Sequence, residues 1–255
     1  MKEVNEFSNL TFDDFRELAA DNDLSRHEKV GFPDEYREGK EEAIFLDICT
    51  KLPALNSTNK RVLEIGPGCS ELPVMLMDLC RQHDNELFVV CCLLFVDSAE
   101  MLALLPDGDH VEKWTGRYPD TPRLFEKYAN KIDVIIAYSV IQYAYVESNL
   151  WDFLDRSLSL LADGGMILFG DVPNITMRKR FFSSAAGIQC HRDYTGSDEL
   201  PNVSFNQLEL AQMDDSVVFA LLSRARAQGF HAWVVPQASD LPMANRREDI
   251  LIRRP

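Results

Sequence analysis

Four polar positions in the middle of the chain have the residue types and spacing of a ligand site. Glu64 precedes the turn 66–68 (Gly-Pro-Gly), and Asp97, Ser139 and Asp171 each lie at the end of an apolar run. Glycine lets a ligand approach the backbone closely because no Cβ intervenes. Such a turn commonly holds a phosphate, but the carboxylate of Glu64 would repel one. The pattern therefore favours a ligand that carries positive charge.

The apolar runs that precede these residues are typical of buried parallel strands. They lie at 61–65, 86–97, 131–139 and 164–172, with a shorter candidate at 110–116. Helical patterns alternate with them, which predicts a parallel sheet with helices on both faces. Ligands bind at the carboxyl ends of such strands, so we expect the four polar positions to meet at one edge. The intervening helices are predicted at 71–83, about 98–105, about 120–129 and 147–162.

The N-terminal stretch has helical patterns but no strand pattern. Thr11 precedes acidic residues and a helical repeat of apolar residues within 8–20, which indicates a helix start. A further helix is predicted from about Pro33 or Asp34 onward. We assign residues 1–55 to a helical cap over the cleft.

The remaining residues, 56–255, are assigned to the main domain. Within it, 173–210 is polar and irregular and too long for an idle loop, so we expect a substrate-side insertion or lid. A helix is predicted over 214–230, followed by two strands at 231–237 and 248–254 that are typical of a closing antiparallel hairpin.

Composition limits the partners. The chain has 26 basic and 41 acidic residues and a net charge of −15, which disfavours nucleic acid. Its six cysteines form no CxxC pair, so we expect free thiols in a reducing compartment and no metal site. The N-terminus lacks a signal-peptide pattern, and the longest apolar run, 87–96, is too short for a bilayer. We expect a cytoplasmic protein without membrane contact.

Four segments resemble successive motifs of the class I S-adenosylmethionine-dependent methyltransferases. They are LEIGPGCSEL (63–72), FVDSAEML (95–102), KIDVIIAYSVIQYA (131–144) and LADGGMILFGDVPN (161–174). The resemblance covers about 60–175 well and the terminal hairpin weakly. It implies a Rossmann-like α/β fold with a mostly parallel seven-stranded sheet, a terminal antiparallel hairpin and helices on both faces.

The resemblance also implies a methyl donor and its binding residues. S-adenosylmethionine carries a sulfonium, an amino group and a carboxylate but no phosphate, which agrees with Glu64 beside the turn. Asp97 would accept both ribose hydroxyls in a charge-assisted contact. The expected donor-binding residues are Glu64, Gly66, Pro67, Gly68, Ser70, Asp97, Ser98, Met101, Gly116, Arg117, Tyr138, Ser139 and Val140.

Methyl transfer to a hydroxyl acceptor needs a general base. The candidates are His191, Asp171 and His27. Residues 29–42 and 170–184 resemble a bacterial subgroup that is associated with surface-polysaccharide and sugar modification. This second resemblance implies O-methylation of a sugar-linked acceptor, phosphorylated or nucleotide-activated. The expected acceptor-binding residues are Tyr143, Asn174, Arg178, Arg180 and Tyr194.

Other functions stay open at this point. The acceptor could be an amine, or an RNA or protein, although the net charge disfavours RNA. A catalytically silent donor-binding scaffold is also compatible with the motifs, and a homodimer is compatible with the sequence. A nicotinamide dehydrogenase is disfavoured by Glu64 and by Ser70, which stands where a third glycine would be needed.

Overall fold

A computed structural model of the chain describes residues 10–32, 34, 38–83, 93–207 and 209–255. Seven strands of these residues form one sheet, in the order β3-β2-β1-β4-β5-β7-β6. Strands β1 to β5 are parallel, and β7 runs antiparallel to both β5 and β6. The predicted α/β fold with its terminal antiparallel hairpin is confirmed. The strands are β1 Val62–Ile65, β2 Leu93–Asp97, β3 Val111–Thr115, β4 Ile132–Tyr138, β5 Leu161–Pro173, β6 His231–Val235 and β7 Arg247–Arg253.

Helices cover both faces of the sheet. The N-terminal α1 begins after Thr11, whose hydroxyl accepts from Asp14 N–H while the Asp14 carboxylate accepts from Thr11 N–H, which forms a capping box. The described helices are α1 Phe12–Ala20, α2 Arg26–Lys29, α3 Glu41–Lys51, α4 Glu71–Gln82, α5 Ala99–Leu102, α6 Pro122–Tyr128, α7 Ile141–Glu147, α8 Leu150–Leu160, α9 Ile175–Phe182, α10 Ala185–Thr195 and α11 Asp215–Ala227.

The central strands β1 and β4 are apolar almost throughout because both of their sides are buried. Successive side chains of a strand point to opposite faces. In β4, Val134 and Ile136 pack in the cluster that includes residues of α3 and α4. Ile135 and Ala137 pack in the other cluster, with residues of α8 and α11. This double burial explains the near-continuous apolar runs of the sequence.

The prediction that residues 173–210 are irregular is wrong, because they contain α9 and α10. Asn174 caps α9 by accepting from Thr176 N–H at 3.0 Å. Ser184 caps α10 by accepting from Gly187 N–H at 3.2 Å. Both residues are common N-caps, and the polar composition of the segment concealed these start signals.

The bounds of one predicted helix also shift. The helix predicted over 147–162 is α8, which begins after the N-cap Asn149, and the separate α7 precedes it. The first described residue of α3 is Glu41. For the helix start predicted at Pro33 or Asp34, Asp34 is helical, while Pro33 and residues 35–37 lie outside the described residues, as do residues 86–92 of the strand predicted over 86–97. No helix within the described ranges has the length and apolar character that crossing a bilayer requires.

Replacing Phe169 with alanine tests the interior packing of β5. Its side chain is fully buried, with its ring centroid 5.7 Å from that of Phe153. We expect Phe169→Ala to lower the free energy of unfolding by about 3–5 kcal/mol, because a large cavity forms. Urea denaturation measures the change. Phe219→Ala, at a helix position that is 60% exposed, is the matched control and should change it by less than about 0.5 kcal/mol. Equal effects would contradict the assigned core.

Candidate active site

A cleft opens at the carboxyl ends of the parallel strands, where the chain order of the sheet reverses between β1 and β4. It encloses about 1190 Å³, open space at its mouth included. The predicted donor-binding residues that line it are Gly66, Pro67, Gly68, Ser70, Asp97, Met101, Gly116, Arg117, Tyr138, Ser139 and Val140.

The turn after β1 lies under two valine side chains. Gly66 and Gly68 have φ values of 64° and 66°, in the left-handed region that favours glycine. A Cβ on Gly66 would lie 2.7 Å from Val140 Cγ2, and one on Gly68 would lie 2.5 Å from Val30 Cγ1. Both positions therefore require glycine for conformation and for space.

The carboxylate of Asp97 is fixed beside this turn. Its Oδ1 accepts from Ser98 N–H at 2.6 Å and its Oδ2 accepts from Gly68 N–H at 3.4 Å. Burial raises the pKa of Asp97 to about 6, although these two backbone bonds oppose the shift. The group has free acceptor capacity and faces the cleft.

Glu64 lies behind the turn, and its side chain is buried. In the described part of the chain, its Oε2 has no hydrogen-bond partner. Burial first, and then repulsion from Asp97, raise the pKa of Glu64 to about 8. A buried acceptor without a partner is costly, and two neighbouring acids favour a cationic group nearby. The residues present therefore fit the amino-acid end of S-adenosylmethionine, which Glu64 would reach through the turn or a water.

The N-terminal helices form the opposite wall of the cleft. Phe12, Phe15 and His27 line it from α1 and α2. The N–H of Phe12 donates to both carboxylate oxygens of Glu147, at 3.0 and 3.2 Å, and the Phe15 ring meets the Tyr143 ring edge-on with centroids 5.0 Å apart. Sequence reasoning missed Phe12, Phe15 and Glu147 as site residues. The apolar repeat of α1 was the available signal, but it indicates only burial.

Of the three candidate bases, His27 alone lines the cleft. Its Nδ1 is 2.9 Å from Oδ1 of Asp34, and its Nε2 contacts Oε1 of Glu41, which also lines the cleft. Carboxylates at both ring nitrogens fix the orientation of the imidazole. His27 is therefore the one of the three candidate bases whose ring is held in the cleft lining.

The other two candidate bases, His191 and Asp171, lie outside the cleft lining. His191 lies on α10 outside the cleft lining, with its ring packed against Phe182. Asp171 is 5% exposed, accepts from the Ser139 hydroxyl and pairs with Arg247 Nη1 at 2.7 Å. Its carboxylate therefore holds Ser139 in place beneath the cleft.

Four of the predicted acceptor-binding residues lie outside the cleft lining, and Tyr143 alone lies within it. Asn174 caps α9 and donates to Asp215 at 2.7 Å. Arg180 pairs with the same Asp215 at 2.5 Å, so both residues bind α9 to α11. Arg178 lies over the Phe182 ring, and Tyr194 is 70% exposed. The structure therefore brings Tyr143, but not these four residues, to the cleft.

Ser98, among the predicted donor-binding residues, also lies outside the lining. Its hydroxyl accepts from Met101 N–H at 3.1 Å and caps α5. This cap holds Met101 where it lines the cleft.

No protein-family model matches the sequence, and no curated protein matches it. Solved structures match it in fold. The plantazolicin methyltransferase BpumL, in complex with a triazolic analogue and S-adenosylhomocysteine, aligns with a TM-score of 0.55 at 13% identity over 99% of each chain. The N-methyltransferase NodS from Bradyrhizobium japonicum WM9, with S-adenosylhomocysteine, aligns with a TM-score of 0.52 at 15% identity over 96% of this chain and 98% of that one.

The CurJ carbon methyltransferase aligns with a TM-score of 0.51 at 18% identity and covers 86% of this chain, which spans 56% of that one. These likenesses show that the chain has the fold of the class I S-adenosylmethionine-dependent methyltransferases. At such identities they establish the fold alone.

The acid pair gives a test that needs no acceptor. At pH 7 a group whose pKa is about 8 is mostly protonated, and a cationic ligand lowers that pKa. We expect S-adenosylmethionine binding at pH 7 to release about one proton from Glu64. Calorimetry in buffers of different ionisation enthalpy measures this number. Glu64→Gln, which keeps the shape, should abolish the release, and release unchanged in that variant would contradict the assignment.

Proposed function

We propose that the protein is an S-adenosylmethionine-dependent methyltransferase of a small molecule. One observation carries the proposal: in a methyltransferase fold, the carboxylate of Asp97 accepts from the N–H of Gly68 in the glycine turn, and the unpartnered acid Glu64 lies behind it. A dinucleotide site would instead bring phosphates to the turn, where two acids oppose them.

The donor, when bound, supplies a methyl group on a positively charged sulfur. The chain's own residues would bind and orient it. Asp97 would accept from the ribose hydroxyls, and residues 138–140 would form the floor. Ser139 has a φ of 59°, which is uncommon for a residue with a Cβ. Its hydroxyl donates to Asp171 and its carbonyl accepts from Gln142 Nε2 at 2.7 Å, which supports a rigid floor.

We propose His27 as the base for a hydroxyl acceptor. Asp34 would hold Nδ1–H and so leave Nε2 for proton transfer. Glu41 occupies that nitrogen, so it must move before an acceptor hydroxyl can reach Nε2. Residues 1–55, to which His27 belongs, would act as a cap that excludes water from the reacting atoms.

The finer expectation is O-methylation of a sugar-linked acceptor in surface-glycan biosynthesis, with an amine acceptor or a silent donor-binding scaffold as alternatives. The expectation of a phosphorylated acceptor depended on phosphate binding by Arg178 and Arg180, and these residues do not line the cleft. A hydroxyl acceptor is still supported by His27. Turnover of labelled donor with sugars, nucleotide sugars and amines separates these possibilities, and donor binding without turnover on any acceptor would favour the scaffold.

Asp97→Ala tests the donor site directly. We expect the affinity for S-adenosylmethionine to fall at least tenfold, because the charge-assisted ribose contact is lost. Titration calorimetry measures the Kd. Asp198→Ala removes a carboxylate whose side chain is fully exposed and serves as the matched control with unchanged affinity. Unchanged affinity in Asp97→Ala would remove the carboxylate from the donor site.

His27→Gln tests the proposed base. We expect turnover to fall about 10²-fold or more, as for the loss of a general base, while the Kd for the donor stays within twofold. His191→Gln, at a histidine outside the cleft, should leave turnover unchanged. Equal turnover in His27→Gln and in the unaltered protein would exclude His27 from proton transfer.

A further inference from the structure

The part of the cleft lining that lies outside the predicted donor-binding residues is rich in aromatic rings. Phe12, Phe15 and Phe32 line it from the N-terminal segment, and Tyr143 lines it from α7. The edge-on contact of Phe15 and Tyr143 joins the two sides of this wall. Aromatic rings attract another ring by stacked or edge-to-face contacts worth about 0.5–1.5 kcal/mol beyond area burial. This wall therefore suits a flat, apolar ring.

The charged groups of the same wall are paired with one another. The Glu147 carboxylate accepts from Phe12 N–H and pairs with Arg117 Nη2 at 3.1 Å. The Glu41 carboxylate contacts Nε2 of His27, and both side chains are mostly buried. Separating a buried charge from its partner is strongly unfavourable, so a charged acceptor would compete for the pair of Glu147 with Arg117, which a neutral acceptor leaves intact. Glu147, Glu41 and Asp97 would also repel a phosphate.

We propose that the acceptor is an uncharged hydroxylated aromatic ring, a phenol, held against this aromatic wall with its hydroxyl toward His27. The inference rests on the proposed methyltransferase function and narrows its substrate class. A phenol differs from the phosphorylated sugar that the sequence predicted as acceptor, because a phosphate would need cationic side chains that face it.

The chemistry of the base agrees with a phenol. The phenol oxygen would form a bond to the methyl carbon, the carbon–sulfur bond would break with its electron pair going to sulfur, and the hydroxyl proton would pass to Nε2 of His27. The pKa of a phenol is about 10, like that of tyrosine. The pKa of water is about 15.7, and that of an aliphatic hydroxyl is similarly high. General-base catalysis by an imidazole therefore meets a smaller barrier with a phenol.

The test uses protein loaded with S-adenosylhomocysteine, which cannot transfer a methyl group, and measures acceptor binding by calorimetry. Catechol is compared with cyclohexane-1,2-diol, which has the same two hydroxyls on a ring without an aromatic face, and with UDP-glucose. We expect catechol to bind at least tenfold more tightly than either. Equal binding of catechol and the diol, or tighter binding of UDP-glucose, would overturn the proposal.

Phe15→Leu tests the wall itself. We expect the Kd for catechol to rise at least fivefold while the Kd for S-adenosylhomocysteine stays within twofold, which also shows that the variant is folded. Phe219→Leu, on an exposed helix face, is the matched control. An unchanged Kd for catechol in Phe15→Leu would contradict the role of the aromatic wall in acceptor binding. If that variant fails to fold, the comparison of catechol with the diol in the unaltered protein still decides.

These measurements separate two failures. Absence of S-adenosylhomocysteine binding would contradict the proposed function, whatever the acceptor. S-adenosylhomocysteine binding without phenol binding would overturn only the acceptor class. Turnover of labelled S-adenosylmethionine on catechol, with methyl incorporated at oxygen, is the further expected result.

Discussion

The site depends on two carboxylates that the parallel sheet brings to one edge. β1 and β2 pair in parallel with Glu64 opposite Phe95, so their carboxyl ends deliver Glu64 and Asp97 to the same turn. Gly68 connects them, because its N–H donates to Asp97 while the turn covers Glu64. Asp97 would face a ligand as a carboxylate, and a cationic ligand would favour ionisation of Glu64, so the turn would suit a cationic nucleoside better than a diphosphate.

The sheet and the donor half of the cleft could be predicted from the sequence because both follow from local patterns. Buried parallel strands leave continuous apolar runs, and Asp97 follows one of these directly. The acceptor half could not be predicted in this way. Phe12 and Glu147 lie 135 positions apart in the chain, and nothing in either local pattern indicates that they meet. His191 has the right chemistry, but no local pattern shows that α10 carries it away from the cleft.

Directed polar contacts, rather than apolar packing alone, fix the N-terminal helices at the rim of the cleft. Arg16 pairs with Glu100 at 2.8 Å, and the sulfur of Cys69 lies 3.6 Å from the carbonyl oxygen of Arg26. Hydrogen bonds are far more sensitive to geometry than apolar contacts are. The contacts of Phe15 with Tyr143 and of Phe12 with Glu147 also hold α1 against α7.

A chain of buried polar contacts connects the floor of the cleft to strand β7. The hydroxyl of Ser139 donates to Asp171, and the N–H of Asp171 donates to the Asp249 carboxylate at 2.8 Å. That carboxylate also accepts from Lys51 Nζ at 2.7 Å. During synthesis, β7 emerges from the ribosome after every other strand of this sheet. A nascent chain therefore carries the glycine turn and both acids before it contains Asp249, the β7 carboxylate that binds the backbone of Asp171 beneath Ser139.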